Sequence, residues 1–161
     1  MRVWTRGLVA VAGAVAVAVG VVGGGAVAGA DSGGPEADLA YHGVVSLDQG
    51  RIDLRVTPRN HGPSAVADAT VRLTWSAPLA ARQQLPDGCA RLGARVVVCR
   101  TGALAADGVG ERIGLRLRLR GAPSEVALDI GTVWSGGAVD RNRGNDEQHV
   151  LVLDTGDAYY F

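Results

Sequence analysis

Apolar and polar residues alternate one by one through much of this chain. In residues 69–75 the apolar Ala69, Val71, Leu73 and Trp75 share one face, and Thr70, Arg72 and Thr74 share the other. A period of two places one set on a core and the other in water, which describes a half-buried strand; a helix would scatter both sets round its axis. A turn signature, Asn60-His61-Gly62-Pro63-Ser64, leads into this strand. The grammar recurs on both sides of it. Residues 37–47 hold a first strand, with Leu39 and Tyr41 alternating and Val44-Val45 as a core pair, and Asp48-Gln49-Gly50 is a turn. Residues 51–56 put Ile52, Leu54 and Val56 inward and Arg51, Asp53 and Arg55 outward. Pro58 lacks an N–H for the ladder and is expected to end that strand. Residues 76–88, with Pro78 and Pro86, predict an irregular connection between two sheets.

Val96-Val97-Val98 reads as a central strand, and residues 112–120 alternate strictly. Ile113, Leu115, Leu117 and Leu119 fall on one side, Arg112, Gly114, Arg116, Arg118 and Arg120 on the other. Residues 125–134 turn Val126, Leu128 and Ile130 inward, residues 140–146 form a turn, and residues 148–153 are the last strand. About seven short strands with regular turn signals predict an all-β fold, an antiparallel β-sandwich of immunoglobulin-like shape. The expected core is Ile52, Leu54, Val56, Val71, Leu73, Trp75, Val97, Ile113, Leu115, Leu117, Leu128 and Ile130, with Trp75 a main plug between the sheets. An outer-membrane barrel is excluded, because 4% aromatic residues cannot supply its girdles and arginines would face lipid.

Residues 1–30 read as a signal peptide. Arg2 and Arg6 form its positive start, residues 8–22 its apolar stretch, and Ala28-Gly29-Ala30 a cleavage site. Ala26-Val27-Ala28 is a second site for the peptidase, and retention as an anchor is the rival reading. The organisation expected is signal peptide 1–30, flexible spacer 31–36, sandwich 37–154 and aromatic tail 155–161. The spacer contains Asp31-Ser32-Gly33-Gly34-Pro35, the string that surrounds the nucleophile of trypsin-like proteases. In those enzymes the histidine and aspartate come earlier in the chain, and only the signal peptide stands there, so a protease is rejected.

Every one of the 16 basic residues is arginine. Without residues 1–30, 14 arginines stand against 16 acids, a net charge of −2. Such a balance offers no bulk field to nucleic acid, which is excluded as a partner, and no stable membrane span is expected after signal cleavage. The two cysteines, Cys89 and Cys99, are ten positions apart and point to one face of a hairpin centred on Ala94. With an odd-numbered loop they fall opposite each other, close enough for a disulfide in an oxidising compartment. In the chain-entropy account that bond contributes roughly 2.5–3 kcal/mol. A redox-active pair would want the C-x-x-C spacing.

Candidate chemistry is sparse. Zinc, haem and iron–sulfur patterns need more Cys or His than the chain has. No catalytic residue is assigned, since His42, His61 and His149 stand in polar or turn contexts with no nucleophile beside them. Asp140-Arg141-Asn142-Arg143-Gly144-Asn145-Asp146 is crowded with oxygen side chains. It misses the EF-hand frame at Gly144 and Asn145, so it is read as a hairpin connection and no metal or cofactor is assigned. Two surfaces remain as contacts. The arginine row, Arg112, Arg116, Arg118 and Arg120, would suit an anionic polymer such as a teichoic acid or a polysaccharide sulfate. It better suits a solvated strand face that resists edge-to-edge pairing, with Glu125 and Asp129 as neighbouring acids, and that is the reading favoured from sequence. The tail, Tyr159, Tyr160 and Phe161, is either a binding anchor or a terminal strand folded onto the sandwich.

Asn60-His61-Gly62-Pro63-Ser64, then Leu85-Pro86 and Cys89, Val98-Cys99, Gly102 and Leu104, and last Asp140, Asn142 and Asn145-Asp146 follow in a set order. That order resembles the conserved-repeat immunoglobulin-like domain of unknown function found in bacterial cell-surface proteins, over residues 39–153. The family usually has an aspartate before its Leu-Pro pair, where this chain has Trp75-Ser76-Ala77-Pro78, and it usually comes in several copies. The resemblance implies an immunoglobulin-like fold, a surface location and no catalytic residues. The function expected is a non-catalytic exported module, secreted, extracellular or wall-associated. It would serve as a structural or interaction domain of the cell envelope, with an unknown protein or a cell-wall glycan as partner. The alternative is a secreted ligand-binding or inhibitory domain acting on a soluble protein or glycan.

Overall fold

The alternation is realised as strands. A computed structural model describes residues 34–161, in which the elements are β1 (Glu36–Ala37), β2 (Leu39–Asp48), β3 (Arg51–Asn60), β4 (Thr70–Trp75), β5 (Cys89–Arg91), β6 (Val96–Arg100), β7 (Gly108–Val109), β8 (Ile113–Arg118), β9 (Glu125–Trp134), β10 (Val139–Asp140), β11 (Glu147–Leu153) and β12 (Tyr159–Tyr160). Residues 1–30, read as a signal peptide, and residues 31–33 of the spacer lie outside the described residues. Seven of the strands are five residues or longer, which is the set the alternation can reveal. The others are short pairings that no period announces.

Two antiparallel sheets carry the fold. The first has the order β11-β9-β4-β6-β5, and the second β12-β2-β3, with β8 and β7 taking successive stretches of the far side of β3. Inward residues of both sheets make one core: Tyr41, Val45, Leu47, Ile52, Leu54 and Val56 from the second sheet meet Val71, Leu73, Trp75, Val97, Val126 and Leu128 from the first. That is a β-sandwich arrangement. Of the expected core residues only Ile113 falls short of burial, and it still packs against the cluster. In β2 only Val45 of the Val44-Val45 pair is buried, since adjacent strand residues point to opposite faces.

Three boundaries differ from expectation, each for a physical reason. The strand β3 continues through Pro58 to Asn60. The Pro58 carbonyl accepts the Gly110 N–H at 2.9 Å, so its missing N–H points to that same side, where β8 has ended and β7 has barely begun. The connection over residues 76–88 does not change sheets, because β4 and β5 both belong to the first. It touches the second sheet on the way, through a Leu79–Leu119 bridge and the Ala80 N–H to Arg118 carbonyl bond at 2.8 Å. Glu36, assigned to the spacer, already pairs with Val139 in a parallel β1–β10 ribbon.

The Asn60-Ser64 turn explains how that ribbon is held. Asn60 is fully buried; its Oδ1 accepts the Asp38 and Gly62 N–H groups at 3.2 and 3.0 Å, and its Nδ2 donates to the Ser64 and Ala105 carbonyls at 2.8 and 3.1 Å. A Cβ on Gly62 would stand 2.6 Å from the Ala37 Cα, so only glycine lets the incoming chain pass. At the other end, Gln49 and Gly50 both have positive φ, 48° and 71°, in a two-residue loop that closes Asp48 onto Arg51. Such a loop matches the right-handed twist of its strands and fixes the β2–β3 register.

Candidate functional site: the arginine-bearing sheet face

Pairing decides what surrounds the arginine row. The strand β8 lies against β3, with Arg118 opposite Arg51, Arg116 opposite Asp53 and Gly114 opposite Arg55. Across β3 the rows continue into β2, where Asp48, Ser46 and Val44 stand opposite the same three residues. Directly opposed residues share a face. The outer side of this sheet therefore carries Arg51, Arg55, Arg116 and Arg118 around the acids Asp53 and Asp48. Glu125 and Asp129, expected as neighbours of the row, sit on β9 in the other sheet; Asp129 is bound to His149 Nδ1 at 2.5 Å.

Asp53 is shared. Its Oδ1 lies 3.4 Å from Arg55 Nε and its Oδ2 3.6 Å from Arg116 Nε, while the Arg116 side chain is 88% exposed. Ion pairs this wet contribute little to stability and leave the guanidinium donors free for another anion. Grooves run over the face. The first, of about 450 Å³, is lined by Asp48, Arg51, Asp53, Arg82, Arg116 and Arg118, among others. A second continues it past Arg55, Arg112 and Gly114, and a third reaches His42, Thr57 and Tyr160. Nothing stands within 4 Å of a Cβ on Gly114, so that position is a gap in the row that leaves Arg55 uncovered.

The loop before β5 frames one side. Gln83 acts as a substitute strand residue: its Nε2 donates to the Arg118 carbonyl at 2.7 Å and its Oε1 accepts the Arg118 N–H at 3.0 Å. This caps the open edge of β8 and keeps Arg82 beside the groove. Arg120 is exposed beyond the strand end, its N–H bound to the Pro78 carbonyl at 2.7 Å, and it does not line these grooves.

The aromatic tail is a strand. Tyr159 and Tyr160 pair with Val45 and Val44, and Phe161 exchanges both backbone bonds with Gly43 at 3.0 and 3.2 Å. Tyr159 and Phe161 pack against the core, and a Cβ on Gly43 would stand 2.7 Å from the Phe161 ring. Tyr160 alone stays out, 81% exposed, in the groove with Arg55 and Arg112. Of the three tail residues, Tyr160 is the one whose side chain the fold leaves largely open to water.

Cys89 and Cys99 are directly paired and joined by a disulfide, with Cα atoms 4.0 Å apart. The Arg100 N–H to Gly88 carbonyl bond makes the next pair the hydrogen-bonded one, so the cysteines occupy the closer, non-hydrogen-bonded kind of site. Sequence reasoning missed Arg51, Arg55 and Arg82 as partners of the row. The outward phase of Arg51 and Arg55 was readable, but nothing local says which strand lies next to β8.

Among the histidines, His149 meets Asp129 in a shallow groove with Arg72 and Thr74 on the outer side of the first sheet, and no serine lines that groove. No family model matches the chain, and no curated protein is similar to it.

Proposed function

We propose that this is a non-catalytic exported module of the cell envelope, an immunoglobulin-like sandwich whose arginine-bearing sheet face holds an anionic wall polymer. The observation that carries this reading is the segregation of charge on the second sheet. A chain that is nearly neutral places Arg51, Arg55, Arg82, Arg112, Arg116 and Arg118 along continuous grooves with only Asp48 and Asp53 among them. Guanidinium groups bind phosphate and sulfate oxygens in pairs, and successive outward residues on a strand repeat every ~6.6 Å, a spacing suited to an extended polyanion. A disulfide between adjacent strands is compatible with an extracellular setting.

The test is retention of the purified domain on immobilised polyglycerol phosphate, a sulfated polysaccharide and a neutral glycan as salt rises. Binding to the polyanions that falls with salt, and is lost in an Arg51→Ala, Arg55→Ala, Arg116→Ala, Arg118→Ala variant, is expected. Retention of that variant equal to the native domain would overturn the proposal. A second reading, a secreted domain acting on a soluble protein, draws on Tyr160, an exposed aromatic beside Arg55 and Arg112. Cell fractionation separates the two: protein found only in the medium favours the second.

A further inference from the structure

The turn between β10 and β11 holds a polar cluster of a different kind. Because β1 pairs with β10, Asp38 is brought beside residues 140–146. Asp140 accepts the Leu39 and Asn142 N–H groups at 2.8 and 3.0 Å, and Asn142 and Asn145 donate their side-chain amides to Asp38 Oδ1 at 3.3 and 2.7 Å. These bonds leave three acceptors over. Asn145 Oδ1 and both carboxylate oxygens of Asp146 are buried with no hydrogen-bond donor, and the Asp146 residue is 0% exposed.

Buried acceptors in folded proteins have a partner, and a buried carboxylate without one is costly. The nearby candidates fall short. Thr132 makes its close hydrogen bond with the Tyr41 hydroxyl at 2.7 Å, and its hydroxyl offsets the burial of Asp146 only in part. Arg143 Nε is 3.4 Å from Asp146 Oδ2, but that side chain is 57% exposed and also reaches Glu147 at 3.8 Å. One half-exposed arginine therefore stands against Asp146, Asp140 and Glu147. Burial, the largest cause, pushes the Asp146 carboxyl above its ordinary range; the Thr132 hydroxyl and Arg143 pull it back only in part, and Asp140 and Glu147 push it up again.

We propose that Asp146 and the Asn145 carboxamide oxygen bind a calcium ion, which ties the N-terminal ribbon to the β10–β11 turn. All the unpaired atoms are oxygens, the donor set of a hard cation. No three carboxylate, imidazole or thiolate groups converge among the described residues, so the rest of the ion's shell would have to come from amide and backbone carbonyl oxygens and water. Calcium accepts one carboxylate with amide oxygens, backbone carbonyls and water in a flexible shell, where magnesium demands a near-ideal octahedron. The site stands apart from the arginine face and does not rest on the envelope reading.

The experiment is calorimetric titration and thermal melting of the chelator-treated domain with calcium chloride, beside magnesium chloride at matched ionic strength. Calcium should give saturable heat and a Tm that climbs with its concentration. Asp146→Asn should weaken binding by about tenfold or more. Arg143→Gln should tighten it, because it removes the competing cation while keeping Asp146. Absence of heat and Tm shift in both the native domain and Arg143→Gln overturns the proposal. An equal response to magnesium, or a calcium response that survives Asp146→Asn, overturns it as well.

Discussion

Asp53 and Asp146 show two ways for one side chain to meet arginine. Asp53 lies on an outer sheet face between Arg55 and Arg116, at 3.4 and 3.6 Å, with water around all three. Asp146 has a single arginine at 3.4 Å and no exposed surface. In water the ion pair is cheap to make and to break, so the arginines remain available to a ligand. In the interior the same carboxylate is a liability unless a cation or a proton neutralises it. The first region is suited to reversible binding, and the second makes the fold sensitive to what fills it.

Both regions rest on the shared core, so the severest way to break the comparison is to remove its foundation. Trp75 is 1% exposed, and Trp75→Ala should cost about 3–5 kcal/mol and abolish polyanion binding together with the calcium response. A chemical denaturation curve reads this directly, and a loss under about 1 kcal/mol would mean that the core can close around the cavity. Next comes the disulfide. Reduction, or the Cys89→Ser, Cys99→Ser variant, should lower stability by roughly 2.5–3 kcal/mol, and intact mass should rise by the mass of two hydrogen atoms on reduction.

Smaller effects sharpen the contrast itself. Tyr41, buried and bonded to Thr132, has its hydroxyl pKa pushed up to about 12, first by burial and then by Asp146 and Asp140. Tyr41→Phe should cost about 1 kcal/mol in calcium-free buffer, measured by urea unfolding. Asp146 gives a pH signature. Its folded pKa lies above the ordinary aspartate value of 3.8, so the folded state holds the proton more tightly than the unfolded chain. The penalty is therefore fully present above the folded pKa and is relieved as pH falls through it towards 3.8. In calcium-free melts the Asp146→Asn variant should be the more stable at neutral pH, and its advantage should shrink on acidification. An advantage that stays constant would show that Asp146 titrates as it does in the unfolded chain. Arg116→Ala, at the wet end of the comparison, should change stability by no more than about 0.5 kcal/mol while reducing the salt slope of polyanion binding.

The sequence by itself determined the strands and their phase. Leu115, Leu117 and Leu119 are buried and Arg116 and Arg118 exposed, because which way a strand residue points is a local property with a period of two. The disulfide was readable for the same reason, since ten positions across one hairpin return to the same face, and Cys89 does stand opposite Cys99. Tertiary structure decided the neighbours. It set β8 beside β3 and so enlarged a row of arginines into a face, and it kept residues 76–88 within one sheet. It folded Tyr159 and Phe161 onto the core and left Tyr160 outside. It also carried Asp38 to Asn142 and Asn145, more than a hundred positions away. Pairing between distant strands is settled by how all the apolar faces can be covered at once, and no short window of residues contains that choice.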